Sequence, residues 1–249
     1  KLKNTIREFV YSLNRRYTFT YRLLRPLWKA FRLFREPRRR GEFLGQPLLK
    51  RKHQFQDSTF TLHYRYPRLF EQCRLYFQHH PAPRILSFGC STGEEVFSLI
   101  EYMPQAIIAG IDINRWCIRE CNLKNTNEHI SFDLRHSGLF DELTGLDAIF
   151  CMAVFQRAAN RDKKVVRTTK ITFQRFEREL KILDKKLRVG GLFFIDVCDF
   201  DLADTLLYTN YRPLEFDANR IENDLPVFGR DNEKIANTRY FHRVFVKLR

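Results

Sequence analysis

From residue 84 onward, apolar positions alternate between two rhythms. Short continuous apolar runs of strand length give way to segments whose apolar residues recur every three to four positions. Ile85, Leu86 and Phe88 form the first run, which suits an inner strand. Gly89 and Gly93 bracket a loop that must bend sharply, and Val96, Leu99 and Ile100 then fall at helical spacing from Glu94. A second strand is predicted over 106–112 with a helix to about 124, a third, short strand over 128–133, and a fourth over 146–152. A long helix is predicted over 165–187, striped by Phe173, Phe176, Leu180, Leu183 and Leu187 and stopped by Val189-Gly190-Gly191. The fifth strand follows over 192–197.

Short apolar strands alternating with amphipathic helices predict a parallel sheet covered on both faces. The end of the chain differs. Two strand-like runs, 212–216 and 239–248, have no helix between them and predict an antiparallel C-terminal edge pair. Upstream, residues 60–64 read as a short strand and 67–80 as a helix, with Pro81 and Pro83 punctuating the way into the first core strand. Residues 1–40 interleave apolar residues (Leu23, Leu24, Leu27, Trp28, Phe31) with Arg22, Arg25, Lys29, Arg32 and Arg35 at helical spacing. The reading is α/β: a Rossmann-like doubly wound sheet over 81–249, preceded by a basic, mainly helical N-terminal extension over 1–80.

Charge sharpens that division. The net charge is +15, yet residues 1–84 hold 20 Lys and Arg against five Asp and Glu, while residues 85–249 hold 24 of each. A basic amphipathic helix can pack on the body, lie on an anionic membrane surface or track nucleic-acid phosphates, and all three stay open here. No apolar run approaches the roughly 18 residues that span a membrane. The six cysteines contain no C-x-x-C pair and no zinc spacing, which predicts reduced thiols, no metal site and a cytoplasmic location, with a peripheral membrane position as a variant.

Candidate chemistry gathers at the carboxyl ends of the strands. Asp112 ends the second strand, 19 residues after Gly93, where a carboxylate can accept both hydroxyls of a ribose. Asp133 ends the third strand and can meet an adenine amino group. The fourth strand delivers Cys151, Met152 and Ala153 to the same edge. The first loop lacks the G-x-G-x-x-G phosphate fingerprint, and Glu94-Glu95 at the helix start would repel a pyrophosphate. A ligand with ribose, adenine and positive charge but no phosphate is favoured, and S-adenosylmethionine has those features. His129, His136, Tyr64, Tyr66 and Asp196 are the side chains that can approach such a site, and no catalytic residue is singled out among them.

Three segments then carry a resemblance: Ser91-Thr92-Gly93-Glu94-Glu95 with Val96-Phe97-Ser98, then Gly110-Ile111-Asp112-Ile113-Asn114, then Asp147-Ala148-Ile149-Phe150-Cys151. Over about residues 84–200 the chain resembles a class I S-adenosylmethionine-dependent methyltransferase, and most of all the chemotaxis receptor (glutamate O-) methyltransferase family. The resemblance implies that Phe88, Gly89, Cys90, Ser91 and Gly93 wrap the methionine part of the cofactor and that Glu94 holds its ammonium group. Asp112 would hold the ribose, Ile113 next to it would also touch the cofactor, Asp133 and Leu134 would flank the adenine, and Cys151, Met152 and Ala153 would close the site. It also implies methyl transfer to a small-molecule or protein side-chain acceptor. A cofactor-binding but inactive scaffold or sensor, and an RNA methyltransferase, are the competing readings. Where the receptor enzymes usually follow the fourth-strand Cys with Arg-Asn, this chain has Met152-Ala153, and their N-terminal helical domain has no counterpart.

Overall fold

The computed structural model describes residues 35, 36, 41, 44, 45, 55, 56, 59–162, 164–223, 225–236 and 239–249. The helices expected over 1–40 lie outside the described residues, apart from Arg35 and Glu36. The chain divides into two compact units, Lys1–Gly45 and Gln46–Arg249. The second unit begins well before the expected boundary at residue 80. The reason is α1 (Pro67–Tyr76), which buries Leu69, Phe70 and Cys73 in the same core cluster as Ile85, Leu99 and Phe150.

Seven strands form the main sheet: β1 (Arg84–Phe88), β2 (Ile107–Asp112), β3 (Ile130–Leu134), β4 (Leu146–Met152), β5 (Leu187–Asp196), β6 (Tyr211–Pro213) and, last in the chain, β9 (Val244–Lys247). Their spatial order is β3-β2-β1-β4-β5-β9-β6. The first five are parallel, and β9 pairs antiparallel with both β5 and β6. A separate two-stranded ribbon joins β7 (Arg220–Asn223) to β8 (Arg239–His242). The helices between the parallel strands are α2 (Glu94–Tyr102), α3 (Arg115–Lys124), the short α4 (Gly138–Glu142) and α5 (Phe173–Asp184).

The apolar runs form inner strands because both faces are covered. β4 is buried at all seven positions, with the Phe150 and Phe194 rings stacked 4.0 Å apart across the β4–β5 pair. Asp147 is the polar exception within β4. It lies at the amino edge and is held by the Arg84 N–H and by the Arg188 guanidinium at 2.6 Å, so it takes no part at the carboxyl edge.

Four expected elements change. The strand expected over 239–248 splits into β8, in the ribbon, and β9, in the main sheet. Residues 60–64 form no strand: the backbone there is irregular, and the Tyr64 N–H donates to the Ser98 hydroxyl. The helix expected over 67–80 stops at Tyr76. The helix expected over 165–187 shrinks to α5, because Val166 and Thr168 make backbone bonds with Lys234 and Asn232 instead of with their own helical neighbours. Among the described residues no helix is long and apolar enough to cross a membrane.

Candidate functional site

The carboxyl edge of the sheet opens into a cleft of about 1000 Å³, its solvent mouth included. One wall comes from the turns after β1, β2 and β4; the other comes from an irregular strap before α1. Around the cleft the backbone is repeatedly left-handed: Gly89 has φ 81°, Ser91 52°, Ala153 58° and Tyr64 52°. Strained conformations of this kind cluster where a ligand is gripped.

Gly89 is needed where it stands. A Cβ there would lie 2.6 Å from Val154 Cγ2, so only glycine lets the turn close against the end of β4. The Gly89 and Cys90 N–H groups both donate to the Ile111 carbonyl, which ties the turn to β2. Asp112 is then fixed from two sides. Its Oδ2 accepts the Ser91 N–H at 2.9 Å and its Oδ1 accepts the Asn114 N–H at 2.8 Å. Burial pushes this carboxyl above the ordinary value, and the N–H groups of Asn114, Ser91 and Ile113 oppose the shift. Each oxygen keeps a lone pair for a ligand hydroxyl.

The two glutamates at the start of α2 part company. Glu94 turns away from the cleft, accepting the Thr92 hydroxyl at 2.6 Å and lying 3.5 Å from Lys124. Glu95 lines the cleft and accepts the hydroxyl of Ser87, a buried residue of β1, at 2.7 Å. Burial pushes its carboxyl up to about 7, against the pull of that hydroxyl and of Arg65.

Of the residues proposed from sequence, Phe88, Gly89, Cys90, Ser91, Asp112, Ile113, Met152 and Ala153 converge on the cleft. Gly93, Glu94, Asp133, Leu134 and Cys151 stand outside its lining. Gly93 is glycine for packing: with φ 91°, a Cβ would meet the Phe97 ring at 2.8 Å and Cys121 Sγ at 3.1 Å. Asp133 accepts its neighbour Leu134's N–H, and both residues face a shallower groove against Ile118, Arg119 and Leu123 of α3. Cys151 is fully buried in the core. Among the proposed acid–base side chains, Tyr66 lines the cleft. Asp196 is paired with Arg243, Tyr64 bonds Glu101, and neither His129 nor His136 lines the cleft.

The strap is what sequence reasoning missed. Gln56 donates to the Ala153 carbonyl at 2.5 Å, and the Ser91 hydroxyl donates to the Thr59 carbonyl at 2.8 Å, so the strap is tied to the turns after both β4 and β1. It contributes Phe55, Phe60, Leu62, Arg65 and Tyr66 to the lining. The Arg65 guanidinium sits over the Tyr66 and Phe60 rings, 5.2 and 6.0 Å from their centroids, and makes no ion pair or hydrogen bond with any described residue. The Tyr66 hydroxyl is buried without a hydrogen-bond partner among the described residues, and burial raises its pKa. Arg135 closes the far end. Its Nε and terminal nitrogen both donate to Glu179 Oε1, at 2.9 and 2.7 Å, and its guanidinium lies 3.8 Å from the Phe140 centroid. The local signal for Arg65 was thin: one arginine among aromatics just before Pro67. Among the described residues no group of His, Cys, Asp and Glu side chains is arranged to hold a metal ion.

Neither a family model nor a curated protein matches the chain. Solved structures do. TehB from Haemophilus influenzae aligns with TM-score 0.45 and 16% identity over 72% of this chain and 62% of its own. The plantazolicin methyltransferase BpumL, in complex with a monoazolic desmethylPZN analog and SAH, aligns with TM-score 0.38 and 16% identity over 77% and 61%. PKMT2 from Rickettsia typhi, in complex with AdoHcy, aligns with TM-score 0.35 and 16% identity over 45% and 20%. The chain thus spans less than two thirds of each, and likenesses of this extent carry no weight for activity. The expected α/β architecture itself is present: a mostly parallel seven-stranded sheet, antiparallel at its C-terminal edge.

Proposed function

We propose that the cleft binds S-adenosylmethionine and that the protein is a methyltransferase. The observation that carries this reading is Asp112, anchored by two backbone N–H groups opposite the Gly89–Ser91 turn, beside a helix start that is acidic instead of phosphate-binding. The lining suits each part of that cofactor. Asp112 accepts the ribose hydroxyls, Glu95 faces the ammonium group, and Arg65, without an ion pair among the described residues, supplies a cation for the carboxylate. Ile113 and the Arg135 stem flank the base. Asp133 and Leu134, which the family resemblance would put there, lie in the adjoining groove.

The cofactor supplies an electrophilic methyl on a sulfonium, so what remains for the protein is placement and exclusion of water. Phe55, Phe88 and Met152 are buried apolar residues that keep the inner cleft dry. The Ser91–Glu95 run resembles the chemotaxis receptor enzymes, and that resemblance is what speaks for a glutamate-type acceptor. Six free thiols fit a reducing, cytoplasmic setting.

One observation favours a second reading. β4 ends on Met152 and is followed by Ala153, and neither brings an acid, base or amide to the reacting region, as suits a domain that binds cofactor and signals. Calorimetry with S-adenosylhomocysteine tests the shared step: affinity in the micromolar range, roughly −8 kcal/mol, is expected, and no binding refutes both readings. A screen of acceptors with labelled cofactor separates them, since methyl transfer to any acceptor rejects the binding-only domain.

A further inference from the structure

Two buried side-chain atoms have no hydrogen-bond partner among the described residues, the Tyr66 hydroxyl and Nε of Arg243. The first belongs to the cleft. Tyr66 caps α1 ahead of Pro67, and its carbonyl accepts the Leu69 and Phe70 N–H groups, so the backbone under the ring is fixed. The ring packs on the core cluster that holds Phe150, Met152 and Phe194, and it stands edge-on to Phe70. The hydroxyl is thus held at the inner wall of the cleft, away from bulk water.

A buried hydroxyl left unpaired is costly, and a chain that keeps one calls for a partner from outside itself. The charges around Tyr66 say what kind. Four act on its hydroxyl: Arg65, Asp196, Glu95 and Arg243. They cancel in pairs. In the methyltransferase reading Arg65 and Glu95 answer the carboxylate and the ammonium group of the cofactor, while Arg243 and Asp196 answer each other at 3.4 Å. What is left is an uncharged spot with one O–H donor, which burial keeps protonated. A neutral oxygen fits it, whereas a carboxylate or an ammonium would bring in a charge with no counterpart. The adjoining lining is apolar, with Phe55, Phe60, Leu62 and Phe70, so the body that carries the oxygen is apolar too.

We propose that the methyl acceptor is a neutral hydroxyl compound with an apolar body, and that its oxygen is held by the Tyr66 hydroxyl. The proposal rests on the methyltransferase reading. The acceptor oxygen takes the methyl group as the carbon–sulfur bond breaks, with that bond's electron pair staying on sulfur, and the O–H proton passes to water. The products are a methyl ether, S-adenosylhomocysteine and a hydronium ion. The polar contact that Met152 and Ala153 do not bring to the reacting region then comes from the cap of α1.

Ligand-detected NMR on the full chain saturated with S-adenosylhomocysteine tests this with phenol, benzoate and benzylamine, probes that share a ring and differ in the charge of the head group. Phenol should bind, and more tightly than the other two. Tyr66→Phe should weaken phenol binding by roughly fivefold, the worth of one net hydrogen bond. It should also leave the thermal midpoint at or above the parent's, since it deletes an unpaired polar atom. Tyr76→Phe removes a hydroxyl of the same helix that donates to the Gly190 carbonyl, and should bind phenol like the parent. With labelled cofactor, phenol should yield labelled anisole. Phenol that fails to bind, or that Tyr66→Phe binds undiminished, overturns the proposal. A lowered midpoint in Tyr66→Phe does so too, because it shows the hydroxyl held by a structural water. Tighter binding of benzoate overturns it in favour of a carboxylate acceptor, and of benzylamine in favour of an amine. Phenol bound without anisole formed removes the acceptor role. A parent chain that does not bind S-adenosylhomocysteine in calorimetry refutes the methyltransferase reading, and this proposal with it, whereas cofactor binding without phenol binding refutes the proposal alone.

Discussion

Glu95 gives the cleft a pH dependence that can be worked through. Its carboxyl is pushed up to about 7, chiefly by burial. An ammonium group placed beside it stabilises the carboxylate, so cofactor binding draws the proton off and affinity rises with pH. From a free-state value of about 7, roughly a tenth of the molecules are ionised at pH 6 and roughly nine tenths at pH 8. S-adenosylhomocysteine should therefore bind about tenfold more weakly at pH 6 than at pH 8, or ~1.4 kcal/mol. Stability of the unliganded protein moves the opposite way. A carboxyl raised from its ordinary 4.5 stabilises the fold fully below that value and loses the contribution as pH rises through about 7. The shift caps that term at roughly 3 kcal/mol, less where water reaches the cleft. Calorimetry across this range, in buffers of differing ionisation enthalpy, reads the affinity and the released proton together. Glu95→Gln should bind weakly and without pH dependence over the same range. A flat profile in the parent, or the same slope in the variant, would refute the assignment; the latter would move the titration to Asp112, whose carboxyl is also raised by burial.

Three further outcomes are expected. Asp112→Ala should weaken S-adenosylhomocysteine binding by about 1.5–3 kcal/mol, the worth of hydrogen bonds to a charged acceptor, and undiminished affinity by calorimetry would remove it from the ribose role. Gly93→Val should act on stability instead of on the ligand, because its side chain would be driven into the Phe97 ring and Cys121 from a left-handed backbone; a loss of more than about 1–3 kcal/mol is expected in urea melts, and an unchanged midpoint would contradict the packing. Arg135→Ala leaves Glu179, 6% exposed, as a buried unpaired carboxylate and should cost about 3–5 kcal/mol, whereas Arg135→Met with Glu179→Leu should recover most of it; equal stabilities for the two variants would show that the pair is hydrated.

The parallel body was legible because its strands are buried on both faces, and such strands write themselves as continuous apolar runs. Leu146 to Met152 is the clearest case. Where a segment's backbone bonds go to a distant partner, the local pattern misleads. Residues 60–64 alternate as a strand should, yet they pair with no strand among the described residues; Tyr64 turns to Ser98, and Phe60 and Leu62 serve the cleft. The helical stripe before Phe173 failed for the same reason: residues 166 and 168 are claimed by Lys234 and Asn232, some 65 residues later. The strand expected over 239–248 breaks into β8 and β9, and its first half pairs in a ribbon with β7, where Arg220 meets His242 in a charged stretch that no apolar rhythm marked.

The cleft divides along the same line. Gly89 to Ser91, Asp112, Ile113 and Ala153, at the ends of β1, β2 and β4, reached it because each follows directly from its strand, and a strand end fixes where the next residues stand. Glu94 and Glu95 could not be told apart that way, since adjacent helical residues point about 100° apart and the dipole favours an acid at either position. The phase was nevertheless written in the strand. Ser87 is the one polar residue between Leu86 and Phe88 and is wholly buried. A buried hydroxyl in an apolar strand needs a partner, and the helix that follows folds back over that strand. Of the two glutamates, the one whose side chain meets Ser87 must face inward over β1 toward the cleft, and Glu95 meets it at 2.7 Å. Arg65 had no such internal witness: its partners are two aromatic faces, and a cation over a ring leaves no spacing in the chain to read.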